Sequence, residues 1–279
     1  MCIKFAGIVI LYNPDKTVIK NIKSYCNFFD QLLLVDNSSY NNENEFDDLI
    51  QLKNIVYIPL MSNKGISYAM NYGFYLLKDK NINYIITLDQ DSSFGTNIIE
   101  EYRKYIMHHD MKNIMALTPK YSTDRTQLSV KEGYEEIKIT MQSGSLFSYS
   151  ILEQIGKFND ELFLDVVDWE FFVRGRKKGL RIIRCNNAIL LHQPADTVEK
   201  KIGKKVIRYG VAAPVRYYYQ IRNLLWAAMK YKYPYFLFIF FIKWAKIIFL
   251  FDNKNQYIKY GRKAVRDAFS SNLGIYNEK

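Results

Sequence analysis

The sequence predicts an α/β protein built around a mostly parallel central sheet that is flanked by helices. Short apolar segments of strand length alternate with segments of helical periodicity through the first two thirds of the chain. Several strand segments end in Asp, Asn and Ser, which is typical of open α/β sheets that bind ligands at the carboxyl ends of their strands. An apolar content of 49% over 279 residues is sufficient for a large folded core.

The first half of the chain supplies four predicted strands. Pro14 ends the first of them and helps to start the helix that follows. The polar stretch at residues 40–48 is predicted to be a loop. The strands are predicted at residues 6–11, 31–35, 54–59 and 84–88, and the helices at residues 15–29 and 67–77.

Two carboxylates follow the fourth predicted strand. Successive strand side chains point to opposite faces, so Asp89 and Asp91 share one face at the carboxyl end. Two hard oxygen ligands suit Mg²⁺ or Mn²⁺, and a divalent cation there could neutralise a diphosphate leaving group. The alternative interpretation is an Asp-rich turn that caps the next helix through Ser92 or Ser93.

A second acidic cluster lies further along the chain. Asp165 and Asp168 are three residues apart, so a helix beginning here would put both on one face with Glu170 turned away. A positioned carboxylate is well suited to take the proton of an attacking hydroxyl. The alternative is helix N-terminal charge that complements the macrodipole, with Trp169 in the core. The sequence leaves open whether Asp165 or Asp168 would be the base.

Residues 188–192 predict one more strand, which delivers a single imidazole to its polar end. A lone histidine is usually structural, so His192 needs a partner before it can be considered a metal ligand. The sequence by itself leaves both interpretations open.

The C-terminal third carries all of the excess positive charge. Residues 199–279 hold 17 Lys or Arg against 4 Asp or Glu, a net charge of +13, whereas residues 1–198 have a net charge of −2. Lysines interrupt an aromatic-rich run at residues 231–251, so a helix lying in the membrane interface fits it better than a bilayer span. The alternative is a buried helix that closes the core. A nucleic-acid partner is not expected, because no recognition motif accompanies the charge.

Composition favours a location inside the cell. Three cysteines, Cys2, Cys26 and Cys185, show no metal-ligand spacing and predict reduced thiols. The opening apolar segment runs directly into Tyr12-Asn13-Pro14, which indicates a buried strand rather than an export signal. Together with the basic aromatic region, these features predict a cytoplasmic protein that is peripheral on the inner face of the cell membrane.

In combination, the polar motifs resemble the family 2 glycosyltransferases with the GT-A fold, and within them the bacterial rhamnosyltransferase-like branch. Their order and spacing cover roughly residues 6–223, which makes the joint match far more specific than any single motif. The motifs are Leu11-Tyr12-Asn13-Pro14, Val35-Asp36-Asn37-Ser38, Asn63-Lys64-Gly65-Ile66, Ala69-x-Asn71-x-Gly73, Leu88-Asp89-Gln90-Asp91-Ser92, Ser143-Gly144-Ser145-Leu146, the segment 163–170, His192, and the segment 216–223.

This resemblance implies a GT-A, Rossmann-like catalytic domain at residues 1–200 and a helical, membrane-associating region at residues 201–279. The donor-binding residues that it implies are Tyr12, Asn13, Pro14, Asp36, Asn63, Lys64, Gly65, Asp89, Gly144 and Ser145. The implied ligands for a Mg or Mn cation are Asp89, Asp91 and His192. Asp168 occupies the position of the base, and Trp169 and Glu170 are implied to contact the acceptor.

The implied activity is inverting, metal-dependent transfer of L-rhamnose from dTDP-L-rhamnose to a saccharide acceptor linked to a polyprenyl diphosphate, in bacterial cell-surface polysaccharide synthesis. Two alternatives stay open, namely the same chemistry with a UDP-hexose donor and a non-catalytic membrane-associated scaffold. For Arg216 and Arg222 two interpretations stay open, namely recognition of diphosphate oxygens and ion pairing on a helix surface. The acceptor glycan, the linkage and the oligomeric state are not indicated.

Overall fold

The computed structural model describes residues 3–124, 131–193, 196–202 and 205–277. The first half alternates strands and helices as predicted. Its elements are β1 (Phe5–Leu11), α1 (Lys16–Lys23), β2 (Gln31–Asp36), α2 (Asp47–Ile50), β3 (Ile55–Pro59), α3 (Ile66–Leu77) and β4 (Tyr84–Asp89).

Two predicted boundaries in this half are wrong. The helix predicted over residues 15–29 ends at Lys23, because the backbone N–H and the hydroxyl of Ser24 both donate to Asn21 O and close the last turn. The predicted loop at residues 40–48 contains a 3-10 turn, Glu43–Phe46, and the beginning of α2. Phe46 anchors this segment, since its ring is 1% exposed.

The second half of the chain completes the sheet and adds a helical region. Its elements are β5 (Ser92–Phe94), α4 (Ile98–His108), β6 (Ile114–Ser122), β7 (Tyr134–Ile137), β8 (Leu146–Phe147), α5 (Tyr149–Ile155), α6 (Val167–Arg176), β9 (Arg181–His192), β10 (Asp196–Ile202), β11 (Lys205–Val211), α7 (Pro214–Tyr231), α8 (Pro234–Phe249) and α9 (Lys254–Phe269). The strand predicted to end at His192 is the last part of β9.

One large sheet organises the described residues, in the order β3-β2-β1-β4-β8-β6-β9-β5 with β7 paired to β9. The four strands of the first half are parallel, as predicted. The remainder is mixed, because β8 runs antiparallel to both β4 and β6, and β5 and β7 run antiparallel to β9. The α/β class is therefore confirmed, and the sheet is parallel mainly in its N-terminal half.

The strand register brings the polar ends together. Leu11 pairs with Asp36, and Ile10 pairs with Asp89, so the ends of three neighbouring strands meet at one edge. At the far side of the sheet Ser92 pairs with His192. This second pairing places the histidine next to the turn that carries Asp91.

The sheet separates two hydrophobic clusters. Alternate residues of β1 enter opposite clusters, Ile8 on one face and Val9 on the other, as strand geometry requires. The cluster that contains Ile8 also contains buried residues of α7, α8 and α9, such as Tyr217, Phe236 and Ala264. The helical region thus shares a core with the sheet, and the division into residues 1–200 and 201–279 stays a prediction.

The aromatic-rich run forms most of α8. Phe236 and Phe240 are buried, whereas Phe238 and Phe241 are each 60% exposed. Among the helices of the described ranges, none has the combination of length and apolarity that crossing a bilayer requires. Cys26 and Cys185 are buried free thiols, and Cys2 lies outside the described residues.

Candidate active site

Asp89, Asp91 and His192 converge at the carboxyl edge of the sheet. Each offers a ligand atom, and these atoms all lie within 4.8 Å of one another. His192 Nδ1 is 3.1 Å from Asp91 Oδ1 and 2.8 Å from Ser92 Oγ. The histidine therefore has the acidic partner that the sequence alone could not supply.

This cluster fits a divalent cation. Asp91 Oδ1 is buried and lies 3.1 Å from His192 Nδ1, but no described residue donates a hydrogen bond to it. Buried carboxylate oxygens normally accept hydrogen bonds or bind cations, so such an atom is suited to bind a cation. Two carboxylates and one imidazole are a donor set that first-row divalent metals accept.

Two buried serines and a glutamine amide form hydrogen bonds with the residues of the cluster. Asp89 N donates to Ser143 Oγ at 3.0 Å, and that hydroxyl lies 2.8 Å from Ser92 Oγ, which in turn contacts His192. Gln142 Nε2 donates to the Asp89 carboxylate. Sequence reasoning gave no role to Gln142, because an isolated glutamine before a turn carries no recognisable signal.

The charges in the cluster act on one another. Burial raises the pKa of Asp89, and the neighbouring Asp91 charge adds to this, to about 6. Burial lowers the pKa of His192, but the Asp91 and Asp89 carboxylates outweigh it, so the pKa of His192 is raised overall. Two mutually repelling carboxylates beside an imidazole are an arrangement that a cation would stabilise.

A cavity of about 340 Å³ opens beside the cluster. Its wall combines the end of β4 with the beginning of α6 and with the inner surfaces of α7 and α8. Charged or aromatic residues of the predicted motifs that line it are Asp89, Asp165, Asp168, Trp169, His192, Arg216 and Tyr217. The two acidic motifs, far apart in sequence, thus face one space.

The second acidic pair is split by a cation. Arg216 binds the Asp165 carboxylate through two nitrogens, at 3.0 and 3.3 Å. Asp168 instead accepts hydrogen bonds from Trp169 N at 2.8 Å and Gln142 N at 3.3 Å, and within the described residues it has no salt bridge. Burial raises the pKa of Asp168, with additions from Asp89 and Asp165, to about 7. A carboxylate with that pKa can accept a proton near neutral pH.

Comparison with known proteins identifies the family. Residues 8–164, more than half of the chain, match the family described as "Glycosyl transferase family 2". The chain belongs to this family. The family that the motifs predicted is therefore confirmed, and the protein is a glycosyltransferase.

Two curated relatives align over nearly the whole glycosyltransferase. The "dTDP-rhamnosyl transferase RfbF" of Shigella flexneri is 27% identical over 280 residues, which is 91% of each chain. The "Low-salt glycan biosynthesis hexosyltransferase Agl10" of Haloferax volcanii is 24% identical over 278 residues, covering 90% of this chain and 87% of the relative.

Solved structures support the GT-A fold. S. aureus TarS matches with a TM-score of 0.53 and 16% identity, and GalNAc-T7 with UDP, GalNAc and Mn²⁺ matches with a TM-score of 0.60 and 10% identity. Each match covers 96% of the glycosyltransferase but only 44% and 57% of the longer chains. At these identities the likeness concerns the fold alone.

The N-terminal motifs that were predicted to bind the donor lie at the carboxyl edge of the sheet, and they differ in exposure. Tyr12 is 47% exposed, and Asn13 has a left-handed φ of +45° that turns the chain away from the sheet. Asp36 is only 1% exposed and accepts hydrogen bonds from Ser38 N and Asn42 Nδ2, at 2.9 and 2.7 Å. Its carboxylate is thus occupied in holding the loop after β2.

The Asn63-Lys64-Gly65 motif is fixed mainly by contacts within the protein. Asn63 Oδ1 accepts from Asn37 Nδ2 at 3.0 Å, and Lys64 Nζ lies 4.9 Å from the centre of the Tyr68 ring. Gly65 has φ +88°, and a Cβ at this position would lie 2.7 Å from Phe163 O. The lack of a side chain at Gly65 thus lets the loop before α6 approach its backbone closely.

The Ser143-Gly144-Ser145 turn is buried behind the cavity. Gly144 O accepts from Tyr102 Oη at 2.6 Å, and Ser145 Oγ donates to Met141 O at 2.7 Å. Neither Gly144 nor Ser145 lines the cavity, which instead receives Met141 and Gln142 from the same turn.

The loop that leads into α6 has an unusual backbone. Phe163, Asp165 and Val166 have φ values of +65°, +58° and +65°, a region that β-branched residues rarely adopt. Asn223 Nδ2 on α7 lies 2.8–3.0 Å from the carbonyl oxygens of Leu162, Leu164 and Asp165 and holds this conformation. Strain of this kind persists only where the surroundings fix it, and it is concentrated at functional sites.

Two side chains that the sequence suggested for ligand contacts, Arg222 and Glu170, are buried in the protein. Arg222 is fully buried and donates to Gly274 O at 2.7 Å and Leu162 O at 3.1 Å, so it neither faces a diphosphate nor pairs on a surface. Glu170 is 1% exposed, pairs with Arg174 at 3.0 Å and accepts from Tyr231 Oη. Glu170 does not line the cavity, so its placement does not suit acceptor binding.

Trp169, the other residue implied for the acceptor, does line the cavity. Its ring packs parallel to that of Phe236 on α8, with centroids 6.4 Å apart. The indole therefore forms part of the wall between α6 and the helical region.

Proposed function

We propose that this glycosyltransferase transfers L-rhamnose from dTDP-L-rhamnose to a hydroxyl of a saccharide acceptor, with inversion at the anomeric carbon. The observation that carries the proposal is that Asp89 and His192 open into the same cavity as Asp168. The relative named as a dTDP-rhamnosyl transferase, which aligns over 91% of both chains, supports the choice of donor.

Asp89, Asp91 and His192 would hold Mg²⁺ or Mn²⁺. Asp91 Oδ1, which accepts no hydrogen bond from a described residue, and the repulsion between the two carboxylates support this assignment. When bound, such a cation supplies positive charge that stabilises the negative charge developing on a nucleoside diphosphate. Ser92, Ser143 and Gln142 orient the ligand side chains, as outer-layer partners do in metal sites.

The transfer is a single displacement in which Asp168 is the base. The acceptor hydroxyl gives its proton to the Asp168 carboxylate while its oxygen forms a bond to the anomeric carbon. The bond from that carbon to the diphosphate oxygen breaks, and its electron pair leaves with dTDP. Arg216 is a positioning residue here, because by pairing with Asp165 it keeps that carboxylate from competing for the proton.

The other predicted site residues have different roles according to whether their side chains are exposed or buried. Tyr12, Asn13, Pro14 and Lys64 border the edge where the nucleotide binds, and Trp169 contacts the acceptor. Asp36, Asn63, Gly65, Gly144 and Ser145 act by shaping the loops behind the donor. Residues 1–200 form the catalytic domain and residues 201–279 the membrane-associating region, at the inner face of the cell membrane, in polysaccharide synthesis.

Calorimetric titration of the purified protein with dTDP-L-rhamnose, UDP-glucose and UDP-galactose tests this function. Each donor is titrated with Mn²⁺ and with EDTA, and the series is repeated on Asp91→Ala. We expect dTDP-L-rhamnose to bind preferentially, and only with the metal and with Asp91. Preference for a UDP-hexose would replace the donor while keeping the chemistry, and no binding of any donor would favour the scaffold.

A further inference from the structure

We infer that the side-chain carbonyl of Gln142 accepts a hydrogen bond from a hydroxyl of the transferred sugar, which makes Gln142 a specificity-determining residue for the donor. The inference rests on the proposed function, because it takes Asp89 for the metal end of the cavity and Asp168 for the base. It deepens that function by assigning recognition of the sugar ring to one atom, Gln142 Oε1.

Gln142 contacts both acidic motifs. Its Nε2 donates to the Asp89 carboxylate, and its backbone N–H donates to Asp168 Oδ2 at 3.3 Å. In a single displacement the reacting carbon lies between the leaving oxygen, whose charge the cation stabilises, and the attacking oxygen, which the base deprotonates. The Gln142 side chain therefore lies beside the space that the transferred sugar occupies.

The carbonyl oxygen of this side chain is left without a donor. Gln142 is 4% exposed and lines the cavity, and its Oε1 is buried, yet no described residue donates a hydrogen bond to it. Exchanging the two ends of the amide would turn the carbonyl toward the Asp89 carboxylate, which is itself an acceptor. The unfilled atom is thus an acceptor that a ligand can satisfy.

The rest of Gln142 is held in place. Its backbone oxygen accepts from Thr87 Oγ1 at 2.7 Å and from Ser145 N at 2.9 Å. Thr87 and Ser145 are both fully buried, and Thr87 lies on β4, the strand that ends at Asp89. A side chain held at its backbone and at Nε2 has little freedom to satisfy Oε1 elsewhere, which is the preorganisation that a recognition site requires.

The chemistry of the unfilled atom identifies a hydroxyl as its partner. A carbonyl oxygen only accepts hydrogen bonds, so the ionised oxygens of a diphosphate do not pair with it. Sugar hydroxyls are the hydrogen-bond donors that the reaction brings to this place, and L-rhamnose carries them at C2, C3 and C4. A buried polar group that is matched to a hydroxyl discriminates strongly against a ligand that lacks it.

A second glutamine provides a comparison within the same cavity. Gln220 on α7 also lines the cavity, and its buried Oε1 likewise receives no hydrogen bond from a described residue. Among the described residues, however, Gln220 forms no hydrogen bond with Asp89 or Asp168. Gln220 therefore has the same chemistry as Gln142 without its place between the metal cluster and the base.

Calorimetric titration with fluorinated donors tests the inference on the full chain. Wild-type protein with Mn²⁺ is titrated with dTDP, with dTDP-L-rhamnose and with its analogues that carry fluorine in place of the hydroxyl at C2, C3 or C4. Fluorine is close in size to a hydroxyl but donates no hydrogen bond. We expect at least one analogue to bind about tenfold or more weakly than dTDP-L-rhamnose, because it leaves a buried acceptor unsatisfied.

Variants assign this discrimination to one atom. Gln142→Met keeps the length of the side chain without the carbonyl, and dTDP-L-rhamnose and the sensitive analogue should bind it with nearly equal affinity. Gln220→Met should discriminate between them as the wild type does. Binding of dTDP with Mn²⁺ shows in each variant that the nucleotide site is intact, and the wild-type series does not depend on the folding of any variant.

Three results would overturn the inference. The first is equal affinity of the wild type for dTDP-L-rhamnose and all three analogues. The second is discrimination that persists in Gln142→Met or is lost equally in Gln220→Met. The third is a fall in dTDP affinity in Gln142→Met as large as the fall in dTDP-L-rhamnose affinity, which would assign Gln142 to the metal cluster alone.

The same titrations separate this inference from the proposed function. Wild-type protein that binds dTDP-L-rhamnose without discriminating among the analogues keeps the proposed function and refutes only the role of Gln142. Preference for a UDP-hexose changes the donor, and the same comparison with UDP and the fluorinated hexoses then decides the role of Gln142. Wild-type protein that binds no nucleotide sugar refutes both.

Discussion

Two pairs of aspartates lie beside the same cavity, and neighbouring basic side chains give them different properties. Asp89 and Asp91 are two residues apart at a strand end and share His192, whereas Asp165 and Asp168 are three residues apart and are separated by Arg216. The first pair is kept together and can share one metal ion. The second pair is divided, because Arg216 binds Asp165 and no described residue forms a salt bridge with Asp168. The difference shows that nearby cations, rather than carboxylate spacing, determine what an acidic pair can do.

The largest effect is expected from removing the base from the divided pair. Asp168→Asn should lower kcat for sugar transfer by about a thousandfold, since general-base catalysis contributes on this scale. Donor affinity, measured by calorimetry with Mn²⁺, should stay near the wild-type value. Asp165→Asn is the matched control and should lower kcat by a smaller factor. A variant Asp168→Asn with most of its activity intact would contradict the assignment.

The substitution Asp91→Ala removes one carboxylate of the pair formed by Asp89 and Asp91. We expect the Mn²⁺-dependent affinity for the nucleotide sugar to fall about a hundredfold, because a ligand to the cation is lost. The exposed Asp79 provides a control, and Asp79→Ala should bind the donor normally. If both variants kept wild-type, Mn²⁺-dependent affinity, the cluster would have no part in donor binding.

Removing the cation that divides the second pair should have an intermediate effect. Arg216→Ala leaves Asp165 unpaired beside Asp168, and we expect kcat to fall about tenfold to a hundredfold through mispositioning of the loop. Arg216→Lys should recover part of the loss because it restores the charge but not the two-point contact. Steady-state kinetics on both variants, with donor KM nearly unchanged, distinguish this from a role in donor binding.

The pH dependence follows from the pKa of Asp168 of about 7. The base works only when ionised, so kcat/KM should decline below about pH 7.

The stability of the fold should also depend on pH through Asp168. Its pKa in the folded state lies above the unfolded value, so protonation of Asp168 stabilises the fold at low pH and this contribution is lost as the pH rises through 7. Asp168→Asn should therefore raise Tm at pH 8, and the gain should shrink toward pH 4. Equal Tm values at pH 8 would contradict the raised pKa.

The smallest effect on catalysis is expected at Glu170. Glu170→Gln should leave acceptor KM within about twofold, because the side chain is buried against Arg174 and Tyr231 rather than in the cavity. The same variant should lower Tm, since it weakens a buried ion pair. Thermal denaturation together with acceptor titration separates these two results.

Local sequence was sufficient for the parts of this protein that depend on periodicity. The alternating apolar pattern predicted β1 to β4, and strand alternation placed Asp89 and Asp91 on one face. Their meeting with His192 depends on the antiparallel register between β5 and β9, which residues so distant in sequence do not reveal.

The second acidic motif illustrates the same limit. Its spacing indicated Asp165 and Asp168 together, but the pairing of Asp165 with Arg216 spans 51 residues. Glu170 sat in the expected motif, yet packing of α6 against α7 buried it. Gln142 gave no signal, because only the folded chain brings it to the cavity.

The contact of Asn223 with the left-handed loop before α6 also limits how this protein can be recombined. The side chain that fixes the loop and the loop itself lie on opposite sides of residue 200. A chimera that joined this sheet to the C-terminal helices of another family member would separate the loop from the asparagine that fixes its conformation, even if both parts folded. An exchange of C-terminal regions between family members would therefore require the loop and α7 to be inherited together.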